Sequence, residues 1–597
     1  MLRQQKRLFF WILGAAILLI VAMRILVFPL VSSLVALIPA AVPGVNPTSS
    51  CAKPANAVEI SIIYAPESEV YLTGAIEDFN CNFAKGVNPL TGAQLATDER
   101  PIYITGKVGS SGTVQQGIIN ALVAPNNANV ERPTIFAPSV SHWPALVNYQ
   151  TGREIFDLGE CKATALTPVV MAIWESRLAA LEKQNGGQPV GWADLLAVMN
   201  APNGWESVGI AGHKTVYYGH TNPYVSSTAL STLIAEFYAS GHLHAQQTDF
   251  RRLTLDIVKD PAVQTGVRNI EAMIKHYSER TTEFKEYIAQ GPQYLDFVAL
   301  EENDLIYINQ GKTTYKPPEK LVALYPKEGT FWHEHPFCVP NTDWVSPEQH
   351  AAANVFTDYI RSNGVQQKVM AAGFRPVDLS IKLGNPFVKE LGIDPLQPAT
   401  TLAVPSPEVI AAVQASWQYV KKQADVLLVI DTSGSMEGEK LEKAKAAAQR
   451  FLALLPSQNR VGLVTFSSGV NNDVPLNPLE ASGPAIRTAI DNLQASGDTA
   501  LYDAIIAAVK SMPDDGEHIR AIVVLSDGQD TTSQSTLNDI TALALGERNP
   551  ILIFPVAYGS DADIGVLNTI ARFAGAKVLS GDTKGIEELF TLMSSYF

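Results

Sequence analysis

The sequence predicts an α/β protein of several domains carried behind an amino-terminal transmembrane helix, and three observations predict it. Short apolar runs alternate with helical stretches from Val58 onward, the pattern of parallel α/β architecture. After Ala424 the runs "VLLVI", "VGLVTF", "AIVVLS" and "ILIFPVA" are apolar without alternation, as strands buried on both faces of a parallel sheet must be. Ahead of both lies an almost unbroken apolar tract from Leu8 to Ala40. With 597 residues, a typical ~100–200 residues per domain gives three or four folded units.

The amino-terminal tract reads first. A span needs ~20 apolar residues, which fits residues 8–28, with Arg24 reaching the far interface. Arg3, Lys6 and Arg7 precede it, so residues 1–7 are expected as a cytoplasmic tail and the rest of the chain outside the cell membrane. A cleaved signal peptide and a hairpin of two short spans are the rival readings. Residues 29–57, ending in the Pro-, Ser- and Asn-rich "VPGVNPTSSCAKPANA", read as a spacer. The net charge of −15 disfavours nucleic acid, whose phosphates need a basic face. Cys51, Cys81, Cys161 and Cys338 allow three disulfide pairings in an oxidising compartment or buried thiols, and spacing selects none of these.

Between residues 58 and 384, "VEISIIYAP", "PIYITGKV", "PTIFAPS" and "KTVYYGH" are the strand candidates. Three helix starts carry hydroxyls: Ser110, Ser111 and Thr113 in "SSGTVQQG", Ser139 and Ser141 in "SVSHW", and Ser226 and Ser227 in "SSTALS". Ordinary helix capping explains any one of them. Their repetition suggests a common cleft at the strand carboxyl ends, where helix starts favour a small solute or oxyanion. The segment, above all "SPEQHAAANVFTDYIRSNGVQQKVMAAGFRP", resembles bacterial extracellular solute-binding proteins of the periplasmic-binding-protein type II fold. That resemblance implies two lobes closing on a solute without naming it. The "WHEHPFC" stretch at 332–338 offers imidazole and thiolate but too few partners for a metal site.

Residues 385–424 read as a linker, because prolines resist regular structure. Within it, "SPEVIAAVQASWQYVKK" is a short amphipathic helix, with Ser406 as cap and Pro407 at its first position.

Residues 425–597 then form the doubly wound domain. Asp431 ends its first strand in "DTSGSM", where such sheets place ligands. Asp431, Ser433, Ser435, Thr499 of "ASGDTALYDAI" and Asp527 of "VVLSDGQD" supply carboxylate and hydroxyl oxygens. That set suits a hard divalent cation, magnesium first, with manganese or calcium as alternatives. Gly434, Gly497 and Gly528 are expected to let the loops turn around it. "DTSGS" with the later Thr and "SDG" resembles the metal-ion-dependent adhesion site (MIDAS) of von Willebrand factor type A domains. The resemblance implies direct ligation by the two serines, water-mediated ligation by the aspartates, and an open position for a partner's carboxylate. No nucleophile elbow, phosphate loop or zinc-helix motif is present, so no enzyme activity is expected. The expected function is metal-dependent binding of an acidic protein partner at the cell surface. The alternative is a solute receptor of a transport system with the last domain as a docking arm.

Overall fold

The computed structural model describes residues 51–597 apart from 125–129, 246–250, 279, 515–516, 528, 547–550, 560–561, 575, 577, 582–584 and 595. The expected tail at 1–7, the anchor at 8–28 and the spacer up to residue 50 lie outside the described residues. No helix among the described residues is long and apolar enough to cross a membrane.

Apolar positions at every second residue form the first sheet: β1 (Val58–Tyr64) at its centre, with β2 (Ile102–Val108) and β3 (Ile135–Ala137) parallel on either side. The chain then crosses through β4 (Lys162–Ala163) into a second sheet. That sheet holds β5 (Thr167–Trp174), β6 (Tyr218–Thr221), β7 (Ile274–Ser278), β8 (Phe297–Glu301), β9 (Leu321–Leu324) and β10 (Trp332–His333). It is mixed: β5 runs antiparallel to β8, β9 and β10, whereas β6 is parallel to β7 and β8. The return crossing is β11 (Pro336–Phe337), paired antiparallel with β4. Two lobes are therefore joined by a pair of short strands. Disulfides link Cys161, just before β4, to Cys338, just after β11, and Cys51 to Cys81 within the first lobe.

Helices Pro347–Arg361 and Asn363–Ala371 return to the first lobe, where Phe356, Ile360 and Val369 join the core around Ile62 and Phe79. The segment after them is not a free linker. Its prolines do suppress regular structure, but Ala323 N donates to Gly392 O and Leu402 N to Thr330 O, both at 2.9 Å, docking it along the second lobe. The helix Pro407–Val420 follows, and the Ser406 hydroxyl accepts from Val409 N at its start. Val409, Ile410, Val413, Trp417 and Val420 are buried in one apolar cluster that continues into Val426 and Leu428 of the last domain. The two-lobed part and the last domain share this core.

The last sheet contains β12 (Ala424–Asp431), β13 (Arg460–Phe466), β14 (Val470–Pro478), β15 (Ile519–Ser526), β16 (Ile551–Tyr558) and β17 (Leu579–Gly581). Its order is β14-β13-β12-β15-β16-β17, all parallel except the β14 edge. Because strand side chains alternate, Val426, Leu428 and Ile430 face a layer containing Phe451 and Phe590. Leu427 and Val429 face one containing Leu501, Ile505 and Ile570. Both faces are covered, so every residue of β12 is buried, and the polar Asp431 can end it only where hydrogen bonds await.

Candidate functional site

Asp431 and Asp527 leave the carboxyl ends of the neighbouring strands β12 and β15, and both are 0% exposed. Asp431 accepts from Ser433 N at 2.8 Å and from the Ser526 hydroxyl at 2.6 Å. The Ser433 and Ser435 hydroxyls lie 3.0 Å apart, and Ser435 donates to Asp527 Oδ1 at 2.7 Å. Ser433 is buried while Ser435 and Gly434 are exposed, so this row of oxygens runs from the sheet end to solvent. The loop bearing Thr499 is stitched alongside: Gly434 N donates to Gly497 O at 2.9 Å and Ser496 N to Thr432 O at 2.8 Å. Thr499 is buried, two residues ahead of helix Leu501–Ser511 rather than at its start, and its N–H bonds Thr531 Oγ1 at 3.0 Å. Of the three glycines expected to permit tight turns, Gly497 has the positive φ of 82°, Gly434 does not, and Gly528 lies outside the described residues.

Burial raises the Asp431 carboxyl above its ordinary range, hydrogen bonds from Ser433 and Ser526 pull it back, and the Asp527 charge adds to the rise. Two acids in one buried spot call for a cation. One from the protein is already there: Lys440 Nζ sits 2.5 Å from Asp527 Oδ2. Nothing in the local pattern marks it, because Lys440 stands one residue inside helix Glu439–Leu454 in a run of ordinary surface charges. Two carboxylates, two hydroxyls and an approach for a cation fit a hard divalent ion. Since a bound metal and the ammonium compete for Asp527, Lys440→Met is expected to tighten Mg2+ binding about fivefold, the ~1 kcal/mol scale of a partly exposed ion pair. Calorimetric titration measures it, and unchanged affinity would mean that Lys440 swings clear at no cost.

The second cluster lies between the two lobes. A cavity of about 10 Å³, the room of one water molecule, is lined by Ser110, Ser111 and Ser139 from the first lobe and by Ser226, Ser227, Arg280 and Thr281 from the second, with Glu67 beside them. Five of the seven predicted hydroxyl residues thus meet at the ends of β1, β2, β3, β6 and β7. Thr113 and Ser141 do not line it. Thr113 is exposed, two residues beyond Ser111 on the helix and turned outward, and the Ser141 N–H is engaged by Glu334 Oε1 at 2.9 Å.

The lobes touch here. Ser227 Oγ donates to Ser111 Oγ at 3.0 Å, Trp143 Nε1 to Ser227 Oγ at 2.9 Å, and Gly112 N to Val225 O at 3.0 Å. Glu67 accepts from Ser139 at 3.4 Å; burial first, then the charges of Glu301 and Asp304, push its carboxyl up to about 8. A Cβ on Gly112 would meet Tyr224 O at 2.0 Å, so Gly112→Val is expected to hold the lobes apart. Small-angle scattering should then report a larger radius of gyration than for the native chain. A larger hollow of about 570 Å³ near Phe337, Asn341 and His350 contains none of the predicted residues.

The "WHEHPFC" residues are otherwise employed. His333 Nδ1 and His335 Nε2 bond the two oxygens of Glu301 at 2.7 and 3.2 Å, and Cys338 is in a disulfide. Burial opposes the Glu301 charge, yet His335 and His333 hold its carboxyl down to about 2.

Residues 426–529 match the family described as the von Willebrand factor type A domain, and the carboxyl-terminal domain is of that type. Among curated relatives, inter-alpha-trypsin inhibitor heavy chain H6 of Homo sapiens is 29% identical over 164 residues, which cover 25% of this chain and 12% of that protein. The chain thus spans a small part of the length of the curated relatives it matches. Among solved structures it is similar to a von Willebrand factor type A protein from Catenulispora acidiphila, with 22% identity, a TM-score of 0.27, and coverage of 30% of this chain and 43% of that one. It is also similar to the sulfate-binding protein SubI from Mycobacterium tuberculosis H37Rv, with 16% identity, a TM-score of 0.34, and coverage of 54% of this chain and 88% of that one.

Proposed function

We propose that this protein is a membrane-anchored, extracytoplasmic binding protein that captures an acidic protein partner through a divalent cation held by its carboxyl-terminal domain. The observation that carries the reading is the convergence of Asp431, Ser433, Ser435 and Asp527 on one spot that opens to solvent at Ser435. Ser433 and Ser435 would hold the cation directly, Asp431 and Asp527 would orient its waters, and Thr499 would join from the neighbouring loop. When bound, the cation supplies a Lewis-acidic position that accepts a carboxylate from outside. Hydroxyl ligands are neutral, so an ion whose aspartates act through water keeps most of its charge for that partner. Magnesium is the expected occupant. The reading involves binding without catalysis, and the anchor is the apolar tract at residues 8–28.

A second reading, a solute receptor whose last domain is a docking arm, is favoured by the serine-lined cleft. Hydroxyls and helix starts would suit a small oxyanion once the lobes part, since the closed cavity has room for one water only. The main proposal is tested by binding the full chain to immobilised poly-glutamate in Mg2+ and again in EDTA. Binding that chelation abolishes and Mg2+ restores is expected; equal binding in both would remove the metal from the mechanism.

A further inference from the structure

Inside the second lobe, among residues that line neither the cleft nor the Asp431 site, three buried side chains come together. His220 of β6 is 2% exposed, and neither of its ring nitrogens has a hydrogen-bond partner. Glu236, midway along helix Ser227–His244, and Glu271, the last residue of helix Pro261–Glu271, are both 0% exposed. Each carboxylate is half satisfied. Tyr218 donates to Glu236 Oε1 at 3.1 Å and Tyr277 to Glu271 Oε2 at 2.8 Å, while Glu236 Oε2 and Glu271 Oε1 receive no donor from any other residue and the two carboxyls interact with each other. One donor atom from each of the three residues falls within 4.8 Å of the other two.

We propose that His220, Glu236 and Glu271 form a second metal site, for a divalent transition ion of the zinc class, that locks the second lobe to the carboxyl-terminal domain. The donor chemistry carries the assignment. An imidazole nitrogen and two carboxylate oxygens match such ions, and at ~2.0–2.2 Å from the metal their mutual spacing closes to roughly 3–4 Å. Two negative charges and one dication sum to zero, which makes burial tolerable. Each tyrosine holds one oxygen of its carboxylate and leaves the other for the ion, the arrangement by which supporting donors orient metal ligands.

The location supplies the role. The His220 ring packs 5.3 Å from Trp417 of helix Pro407–Val420. Tyr277 Oη also accepts from Lys422 N at 2.9 Å, and Lys421 donates to the carbonyl of Phe597. Lys421 and Lys422 lead straight into β12, so an ion at this point fixes the joint between the lobe and the last domain.

The test uses the full chain carrying Asp431→Ala, which removes the other candidate metal site. It is refolded with Zn2+ or Co2+ so that burial does not bar entry, desalted, and analysed for metal. About one ion per chain is expected. The Co2+ form should show visible d–d absorption, and X-ray absorption of the Zn2+ form should show imidazole and oxygen scattering without sulfur. Adding Glu271→Gln should bring the content below about a tenth of an ion per chain. A refolded Asp431→Ala chain without metal, or one whose metal survives Glu271→Gln, overturns the site. If Glu271→Gln does not fold, the X-ray absorption spectrum of the Asp431→Ala chain decides alone, since an all-oxygen shell excludes His220.

Discussion

An Asp431→Ala chain is expected to lose Mg2+ and Mn2+ binding at the carboxyl-terminal domain by about a hundredfold and yet to fold as the native chain does. The loss lies at the top of the ~10–100-fold range typical of disturbing a ligand's supporting partners, because the carboxylate both orders the ion's waters and fixes the backbone of the ligand Ser433. Folding survives because what Asp431 contributes is small. It accepts two hydrogen bonds, from Ser433 N and the Ser526 hydroxyl, worth ~1 kcal/mol each. Against them stands a buried charge beside a second acid: burial first, and then the Asp527 charge, already raise its proton affinity. The net effect should lie within ~2 kcal/mol. Thermal unfolding measures both halves. Metal at a hundred times its dissociation constant stabilises the native chain by ~2.7 kcal/mol, and the variant should show no such shift. An equal metal-induced shift in both would place the ion elsewhere, and collapse of the metal-free variant would make Asp431 a structural residue.

The legible part of this molecule is the part where chemistry follows local pattern. The central strands of the last sheet announce themselves because burial on both faces leaves no polar positions, and Asp431 and Asp527 stand out because a carboxylate ends such a run. The β14 edge was not readable: "VNNDVPLNP" is largely solvent-facing and carries two prolines. At the inter-lobe cleft, helix-start serines were visible as a repeated pattern, and Thr113 fails because a helix turns its third residue away from the face that the first presents. Glu67 and Arg280 come from segments with no marking of their own. Lys440 and the His220, Glu236 and Glu271 cluster were invisible for a deeper reason, since each partner sits on a different element and only tertiary packing brings them together. The "GFRP" that ends the string "SPEQHAAANVFTDYIRSNGVQQKVMAAGFRP" carries no local pattern that states its physical role, which only the packing between the lobes shows.

That role leads to a large expected loss of stability, at Arg375. Two residues beyond helix Asn363–Ala371 comes Gly373, whose φ of 97° suits glycine. The chain then lays Arg375 against the crossing between the lobes: its N–H donates to Leu166 O at 2.7 Å and its carbonyl accepts from Leu166 N at 2.9 Å. Its guanidinium continues into the second lobe and grips Glu302 with two bonds, Nε to Oε2 at 2.8 Å and Nη2 to Oε1 at 2.7 Å. Nη1 reaches Pro395 O at 3.2 Å, and the planar group lies 5.2 Å from the Trp332 ring. The Glu302 side chain is 0% exposed, and Tyr325 donates to it as well. Arg375→Leu leaves that carboxylate buried without its cation, so a loss of ~3–5 kcal/mol is expected. Arg375→Lys should fall between, because an ammonium cannot make the paired contact. Removing both charges, Arg375→Leu with Glu302→Leu, should recover most of the loss, since the cost of the single change is the stranded charge rather than the missing bond. Urea unfolding followed by tryptophan fluorescence reads the series, with Trp332 reporting from beside the pair. Strict additivity of the two single losses would show that the charges do not act together and that Arg375 stabilises the crossing only through its stem and backbone.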